Sequence, residues 1–275
     1  MKQIEFKVSS KSGRAFLGDA TFLEKNVSMP IVIFCHGFKG FKDWGAWNEI
    51  AKEFANEGFC FIKFNFSHNG IGLENKQEFL HLNEFANNTI SKEILDLESL
   101  LDYLPKIEEL KNAVNLNNIN IIGHSRGAAT AFIAASKMKK FNKIAGWAGV
   151  YALKNWIEKY NLEEWETNGS IGFPNKRTNQ EMTVNYELAK EIIQGDYVPS
   201  KYLINLEIPI LLLHGEKDEA VSHMESETVY NNILHSIYIL INGANHTFGT
   251  KHPFTGELPK DMIEVVENTV EFFKD

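Results

Sequence analysis

Residues 119–134 read Ile-Asn-Ile-Ile-Gly-His-Ser-Arg-Gly-Ala-Ala-Thr-Ala-Phe-Ile-Ala. A short apolar run enters the pattern Gly123-x-Ser125-x-Gly127, and an alanine-rich stretch that favours a helix leaves it. This order predicts a strand, a tight turn and a helix, with the hydroxyl of Ser125 raised above a sheet. Glycine is expected on both sides because a Cβ atom there would collide with neighbouring backbone. The pentapeptide alone fits a purely structural turn equally well. Residues elsewhere in the chain therefore have to show whether Ser125 is a nucleophile.

Strand-like and helix-like patterns alternate along most of the chain. Strands are predicted at 3–9, 14–23, 31–35, 59–64, 119–122, 144–148, 208–213 and 237–241. Apolar residues at helical spacing predict helices at 44–57, 90–104, 126–139 and 260–274. The alternation predicts an α/β fold with a mostly parallel, doubly wound central sheet.

The alternation stops between residues 151 and 205. This stretch contains short helical patterns, a segment rich in Gly, Pro and Asn at 168–175, and a helical pattern near 184–194. A long insertion between two core strands is usually a lid over a functional site. We therefore expect one α/β core formed by residues 1–150 and 206–275, with a helical lid at 151–205.

Composition narrows the classes of partner. The chain has 275 residues, 28 Lys and Arg against 36 Asp and Glu, and a formal net charge of −8, which argues against nucleic acid or an anionic membrane as partner. No stretch approaches the roughly 18 apolar residues of a membrane span, and the charged N-terminus is unlike a signal peptide. Cys35 and Cys60 lie in apolar strand-like runs, which predicts buried free thiols and a cytoplasmic location. No CxxC or HExxH pattern indicates a metal site.

A serine hydroxyl is a poor nucleophile unless a base removes its proton and an acid orients that base. Asp218 is the candidate acid, because it follows the apolar strand at 208–213 and should lie at the carboxyl edge of the sheet. The alternative is that Asp218 caps a helix over 222–234. Glu216 and Glu219 carry the same charge close by, but we favour Asp218 by its position after the strand.

His246 is the candidate base, because it lies in a loop of small residues directly after the strand at 237–241. Three other histidines compete for this role. His214 ends a strand and is interpreted as structural, while His235 lies at the wrong end of the last strand. His252 is later in the chain than expected. The order nucleophile, acid, base then matches the order known from one large group of serine hydrolases.

A tetrahedral intermediate carries negative charge, so two backbone N–H groups should point at it. One is expected from Arg126, which follows the nucleophile. The other is expected from Phe38 in the loop His36-Gly37-Phe38-Lys39-Gly40, which follows the strand at 31–35. An ordinary glycine-rich loop is the alternative. It is less favoured because this loop and the Ser125 turn should meet at the same sheet edge.

The loop at 36–40, the GHSRG pentapeptide and the late Asn-His pair at 245–246 resemble the α/β-hydrolase superfamily, in particular bacterial cinnamoyl/feruloyl-esterase-like and dienelactone-hydrolase-like members. The resemblance covers nearly all of the chain outside 151–205. It implies hydrolysis of an ester or related acyl bond through a covalent acyl-serine, without a cofactor. Dienelactone hydrolases proper have Cys as the nucleophile in this strand–turn–helix motif, the nucleophile elbow, so Ser125 favours an esterase. Ala128 departs from the glycine that many such esterases have at this position.

Aromatic side chains in and near the 151–205 segment predict an apolar or aromatic acyl pocket. Its candidate lining residues are His36, Gly37, His68, Trp147 and Trp156. Arg126, Lys176 and Arg177 are candidates for holding a substrate carboxylate. The alternatives are that the aromatic residues only attach the segment to the core and that the cations are solvated.

The expected partner is a small-molecule ester, and the sequence leaves a homodimer open. A peptidase or aminopeptidase of the same fold is the second hypothesis, with Glu163, Glu164 and Glu166 as candidate anchors for a substrate amine. A third is a binding protein or scaffold without catalysis. It is disfavoured because such proteins tend to lose the nucleophile or the base, and both are present here.

Overall fold

A computed structural model describes residues 1–75, 77–175, 178–195 and 197–275 of the chain. Lys176 and Arg177, considered above as carboxylate-binding residues, lie outside the described residues. The strands are β1 (Lys2–Ser9), β2 (Ala15–Phe22), β3 (Met29–Cys35), β4 (Cys60–Phe64), β5 (Val114–His124), β6 (Lys143–Trp147), β7 (Ser170–Asn175), β8 (Gln180–Asn185), β9 (Ile210–Gly215) and β10 (Ser236–Ile241). The α-helices are α1 (Trp47–Asn56), α2 (Leu82–Ala86), α3 (Ile90–Tyr103), α4 (Arg126–Met138), α5 (Leu153–Ile157), α6 (Leu162–Asn168), α7 (Tyr186–Gln194), α8 (Pro199–Tyr202), α9 (Met224–Asn232) and α10 (Lys260–Lys274).

Eight strands form one sheet in the order β1-β2-β4-β3-β5-β6-β9-β10. β1 and β2 form an antiparallel hairpin, and β2 pairs antiparallel with β4. Every pair from β4 to β10 is parallel. The predicted α/β fold with a mostly parallel sheet is therefore confirmed. The parallel strands bring the ends of β3, β5, β9 and β10 to one edge, which is where the predicted site residues follow them.

Both faces of the sheet are covered, because successive residues of a strand point to opposite faces. In β3, Ile31 and Ile33 pack on one side with apolar residues of α3 and α4. Val32 and Phe34 pack on the other side with α1 and α10. This doubly wound arrangement explains why β3 is apolar throughout rather than alternating, and why β4 is apolar except for the buried Lys63. Cys35 and Cys60 lie in these two strands as buried free thiols, as expected.

The segment at 151–205 is not purely helical, and that part of the prediction is wrong. It contains α5 to α8, but β7 and β8 form an antiparallel hairpin between α6 and α7. In β8, Met182 and Val184 are buried while Glu181 and Thr183 are exposed, which is the alternation of a strand with one covered face. The Gly, Pro and Asn residues around β7 hid this pattern in the sequence. The role of the segment as a lid stays a prediction.

None of the helices in the described ranges is both long enough and apolar enough to cross a bilayer.

Candidate active site

Ser125 lies between the end of β5 and the start of α4, in a strained backbone conformation. Its φ is 55° and its ψ is −127°, in a region that non-glycine residues rarely occupy. Three hydrogen bonds hold this turn: the Ser125 N–H donates to the Trp147 carbonyl at 2.9 Å, and the Ser125 carbonyl accepts from the N–H groups of Ala128 and Val150, each at 3.0 Å. The turn therefore has the geometry of a nucleophile elbow, with the hydroxyl at the carboxyl edge of the sheet.

The two glycines of the elbow are required by close approach of backbone. A Cβ atom on Gly123 would lie 2.4 Å from the Cα of Ala128. A Cβ atom on Gly127 would lie 2.4 Å from the carbonyl oxygens of both Cys35 and His36. These contacts confirm the steric reason that was inferred from the sequence.

The structure brings Ser125, His246 and Asp218 together, although they are far apart in the chain. The hydroxyl Oγ of Ser125 is 2.9 Å from His246 Nε2, and His246 Nδ1 is 2.7 Å from Asp218 Oδ2. His246 follows β10 and Asp218 follows β9, two paired strands whose carboxyl ends lie at the same sheet edge as the elbow. With Nδ1–H donating to the carboxylate, Nε2 is left as the acceptor for the serine proton.

Asp218 is a buried carboxylate with several hydrogen-bond donors. Its Oδ1 accepts from the N–H groups of Ala220 at 2.8 Å and Val221 at 2.9 Å. These bonds lie in the turn before α9, whose N-terminal cap is His223, so the alternative that Asp218 caps this helix is not realised. Burial by itself raises the pKa of Asp218, but hydrogen bonds from His214 and His246 outweigh burial and hold the pKa well below its usual range. The carboxylate is therefore ionised at neutral pH.

The rival histidines do not contact Ser125. His214 is fully buried and lies 3.2 Å from Asp218 Oδ2 through its Nε2. His235 is exposed and precedes β10, at the opposite end from the elbow. His252 accepts a hydrogen bond from Gly45 N–H at 2.9 Å and stacks on Trp44.

The loop at 36–40 lies directly against the nucleophile. A Cβ atom on Gly37 would lie 2.9 Å from the Cβ of Ser125 and 3.4 Å from its Oγ. Within the described ranges, the backbone N–H groups of Phe38 and Arg126 donate to no other group. Two unpaired donors thus flank Ser125, as an oxyanion site requires.

His36 holds this loop in place rather than offering its ring to a substrate. Its Nδ1 donates to the Gly37 carbonyl at 3.0 Å, and its Nε2 accepts from Phe66 N–H and from Asn69, each at 3.3 Å. Burial is the main cause that lowers the pKa of His36 to about 4, so the ring is neutral at physiological pH.

The side chain of Arg126 is buried and paired, so it is not a free anchor for a substrate carboxylate. Its Nη2 donates to Glu93 Oε1, and its guanidinium lies 4.7 Å from the ring centre of Phe38. Glu93 also accepts from Thr130 at 2.6 Å and from Asn88 at 2.7 Å. This network fixes the first turn of α4, which carries the Arg126 N–H group, against α3.

A cavity of about 510 Å³ opens beside Ser125. His36 and Gly37 lie in its wall, together with Phe38. Aromatic rings of Trp44 and Trp47 line it further, and the described lining residues include no Asp or Glu. The cavity is therefore mainly apolar, and its charged lining residues are basic.

Three predicted pocket residues lie elsewhere. His68 is buried beside Ser67, with 2.8 Å between His68 Nδ1 and Ser67 Oγ, and is not among the described residues that line the cavity. Trp147 is fully buried in the core, where its Nε1 donates to Thr269 at 3.0 Å. Trp156 packs behind the cavity wall, with its ring 5.4 Å from that of Phe38. The sequence places a residue at a strand end but does not show which face its ring joins.

Sequence reasoning missed several residues around the base. His124, next to the nucleophile, donates from Nε2 to the carbonyl of His246 at 3.0 Å and ties the two loops together. Burial first, and then the nearby His246, lower the pKa of His124 to about 3, so it is a neutral donor. The aromatic residues Trp44 and Trp47 were read as part of a helix. Only their place after the loop at 36–40 could have indicated a cavity wall.

Residues 30–149 match the family model described as the alpha/beta hydrolase fold. Together with the sheet order, this match shows that the chain has the α/β-hydrolase fold.

Among solved structures, Est1E from Butyrivibrio proteoclasticus has the same fold, with a TM-score of 0.74 and 14% identity over 98% of this chain and 97% of that one. Among curated relatives, dipeptidyl-peptidase 5 of Porphyromonas gingivalis is 27% identical over 209 residues, which is 71% of this chain and 26% of the relative. Phospholipase A1 of Solenopsis invicta is 29% identical over 117 residues, which is 42% of this chain and 32% of that protein. The chain thus matches only about a third or less of the length of these two relatives.

Proposed function

We propose that the protein is a serine hydrolase that cleaves a carboxylic ester, or a related acyl bond, through an acyl-serine intermediate. The observation that carries the proposal is the continuous hydrogen-bonded relay from Ser125 Oγ to His246 Nε2 at 2.9 Å and from His246 Nδ1 to Asp218 at 2.7 Å. The unpaired N–H groups of Phe38 and Arg126 beside Ser125 support it.

In the proposed reaction, His246 takes the proton of Ser125 as the hydroxyl attacks the acyl carbon. The negative charge that develops on the carbonyl oxygen is held by the N–H groups of Phe38 and Arg126. His246 then gives the proton to the leaving alcohol, and later removes a proton from the water that hydrolyses the acyl-serine. Asp218 stays ionised throughout, because it orients the imidazole and stabilises its charged form.

The cavity favours an ester over a peptide substrate. A peptidase that holds a free amino terminus needs a carboxylate near the cleaved bond, and the described lining residues include none. The acidic candidates Glu163, Glu164 and Glu166 are exposed on α6 rather than in this cavity. Phe38, Trp44 and Trp47 instead provide an aromatic wall that suits an apolar or aromatic acyl group.

The dipeptidyl-peptidase relative keeps peptide cleavage as the second candidate function. A panel of p-nitrophenyl esters with graded acyl groups, compared with p-nitroanilides of dipeptides, separates the two. We expect ester turnover with a preference for apolar acyl groups and little anilide cleavage. The opposite preference would replace the esterase by a peptidase.

The role of Ser125 is tested with a fluorophosphonate probe, which reacts with activated serines. We expect one label on the wild type and none on Ser125→Ala, with ester turnover lost in the same variant. Ser200→Ala is the matched control, because Ser200 is exposed on α8 and away from the cavity. Turnover that survives in folded Ser125→Ala would contradict the proposal.

A further inference from the structure

We propose that His214 is a positioning residue that fixes the carboxylate of Asp218 and so sets the orientation and basicity of His246. The inference rests on the proposed function, since it assigns a role within the same relay. His214 is the fifth residue of β9, and Asp218 follows it in the next turn.

The two histidines share one carboxylate oxygen. Asp218 Oδ2 lies 2.7 Å from His246 Nδ1 and 3.2 Å from His214 Nε2. The side chains of His214 and Asp218 have no solvent-exposed surface, whereas that of His246 is 22% exposed. The outer histidine can therefore meet a substrate, and the inner one acts only through the carboxylate.

The partners of His214 determine which of its nitrogens carries the proton. Nε2 is 3.1 Å from the carbonyl of Val221. A carbonyl can only accept, so Nε2 carries a hydrogen atom, which lies between this carbonyl and Asp218. Nδ1 is 2.8 Å from Ser226 Oγ, a hydroxyl that can donate to this nitrogen or accept from it. Ser226 is fully buried, so this contact holds the ring with its Nε2–H directed toward Asp218.

With His214, four N–H groups face the buried carboxylate. Oδ1 accepts from Ala220 and Val221, and Oδ2 accepts from His246. The Nε2–H of His214, which also bonds the Val221 carbonyl, lies 3.2 Å from Oδ2. A carboxylate removed from water needs its lone pairs satisfied, and donors on both oxygens prevent it from turning about its Cβ–Cγ bond. Without His214, the Oδ2 atom of Asp218 keeps only the N–H of His246 as a partner. Because the site is buried, water cannot replace the missing donor.

Loss of His214 should change how activity depends on pH, and the direction follows from how Asp218 shares its negative charge between the two histidines. His214 takes part of the negative charge of Asp218 that would otherwise act on His246 alone. Without that donor, the protonated form of His246 is favoured, and the base becomes available only at higher pH. The other titratable group that faces these residues is the neutral His124, which contacts His246 from β5. Glu216, Lys217 and Glu219, which lie beside Asp218 in the chain, are exposed to solvent.

The test compares His214→Leu, which removes the donor, with His214→Gln, whose amide N–H reaches about as far as Nε2. The measurement is kcat/KM for a p-nitrophenyl ester as a function of pH, whose acidic limb reports the free base. We expect a loss of about 10- to 100-fold in His214→Leu, with the acidic limb moved to higher pH. His214→Gln should restore most of the rate and the wild-type limb.

Ser226→Ala tests the same idea without changing His214, in case His214→Leu does not fold. It removes the hydroxyl that holds the His214 ring in place, so the acidic limb should move in the same direction by a smaller amount. Equal impairment of the Leu and Gln variants, or an unchanged acidic limb in the folded Leu and Ala variants, would overturn the inference. Wild-type protein that neither turns over esters nor reacts with the fluorophosphonate would instead overturn the proposed function.

Discussion

Gly127 packs against the carbonyl oxygen of His36 so closely that a Cβ atom on Gly127 would lie 2.4 Å from it. This contact joins the first turn of α4 to the loop that carries Phe38. The two N–H groups that flank Ser125 belong to these two segments, so their spacing depends on the missing side chain at position 127.

Replacement of Gly127 by Ala should therefore separate the two donors. We expect a loss of stability of about 1–3 kcal/mol from overpacking, and a fall in kcat larger than the change in KM, because the oxyanion contacts are made mainly in the transition state. Ester kinetics and urea unfolding measure the two effects. Ala135→Gly in the same helix is the control, since it should cost about 1 kcal/mol without moving the loop. Unchanged kcat in Gly127→Ala would show that the loop tolerates the extra atom.

The buried pair of Arg126 and Glu93 gives a second prediction. Arg126→Met leaves Glu93 without its cation in a buried network, which should destabilise the protein by about 3–5 kcal/mol. The double variant with Glu93→Gln should lose less than the sum of the single losses, because no charge is then left unpaired. Urea unfolding of the four proteins gives the coupling.

The same series separates the backbone of Arg126 from its side chain. Since the proposed oxyanion donor is the backbone N–H, the folded double variant should keep ester turnover. The exposed pair Glu49 and Lys52, with side chains 41% and 48% exposed, is the control, and its removal should change stability by less than about 1 kcal/mol. Additive losses at positions 93 and 126 would mean that the two residues do not act as a pair.

Much of the fold could be read from the sequence because local periodicity determines it. The apolar run of β3, with Ile31 and Ile33 on one face and Val32 and Phe34 on the other, has no polar position and so indicates burial on both sides. The order of nucleophile, acid and base along the chain limits the candidates to few residues, and Ser125, Asp218 and His246 do lie together.

The features that the sequence did not predict depend on contacts between residues that are far apart in the chain or joined by a turn. Trp147 lies at the end of β6, but its ring turns into the core toward α10, and only the packing of that helix decides this. From the sequence, His214 is interpreted only as a structural histidine, because its contact with Asp218 arises from a turn whose geometry the sequence does not show. The hairpin of β7 and β8 was missed because glycine, proline and asparagine conceal its alternation.

Asp96 should make stability depend on pH. It is fully buried, and burial raises its pKa to about 6, although Ser10, Ser12 and the Ser67 N–H donate to it. A carboxyl with a raised folded pKa stabilises the fold fully below its unfolded value of 3.8, and this contribution is lost as pH rises through about 6. A shift of about two units corresponds to roughly 3 kcal/mol.

Urea unfolding at several pH values checks this in Asp96→Asn. We expect the difference in stability between wild type and variant to change with pH between about 4 and 6, in the direction that favours the wild type at the acidic end. Asp102→Asn is the control, because Asp102 is 59% exposed and pairs only at the surface with Lys11. A difference that stays constant over this range would contradict the assignment to Asp96.

The two cysteines should be inert toward thiol reagents in the folded protein. Burial raises the pKa of Cys60 to about 12, and burial, with Glu93 nearby, raises the pKa of Cys35 well above its usual value. The reactive thiolate is therefore nearly absent, and both side chains are fully buried, so we expect the reagent to reach the sulfur atoms only when the sheet opens. We expect labelling by an aromatic disulfide to proceed only at the rate of unfolding and to reach two thiols in urea. Ser200→Cys, at an exposed position, should add one thiol that reacts at once, whereas rapid labelling of the native wild type would show that β3 or β4 opens in the folded state.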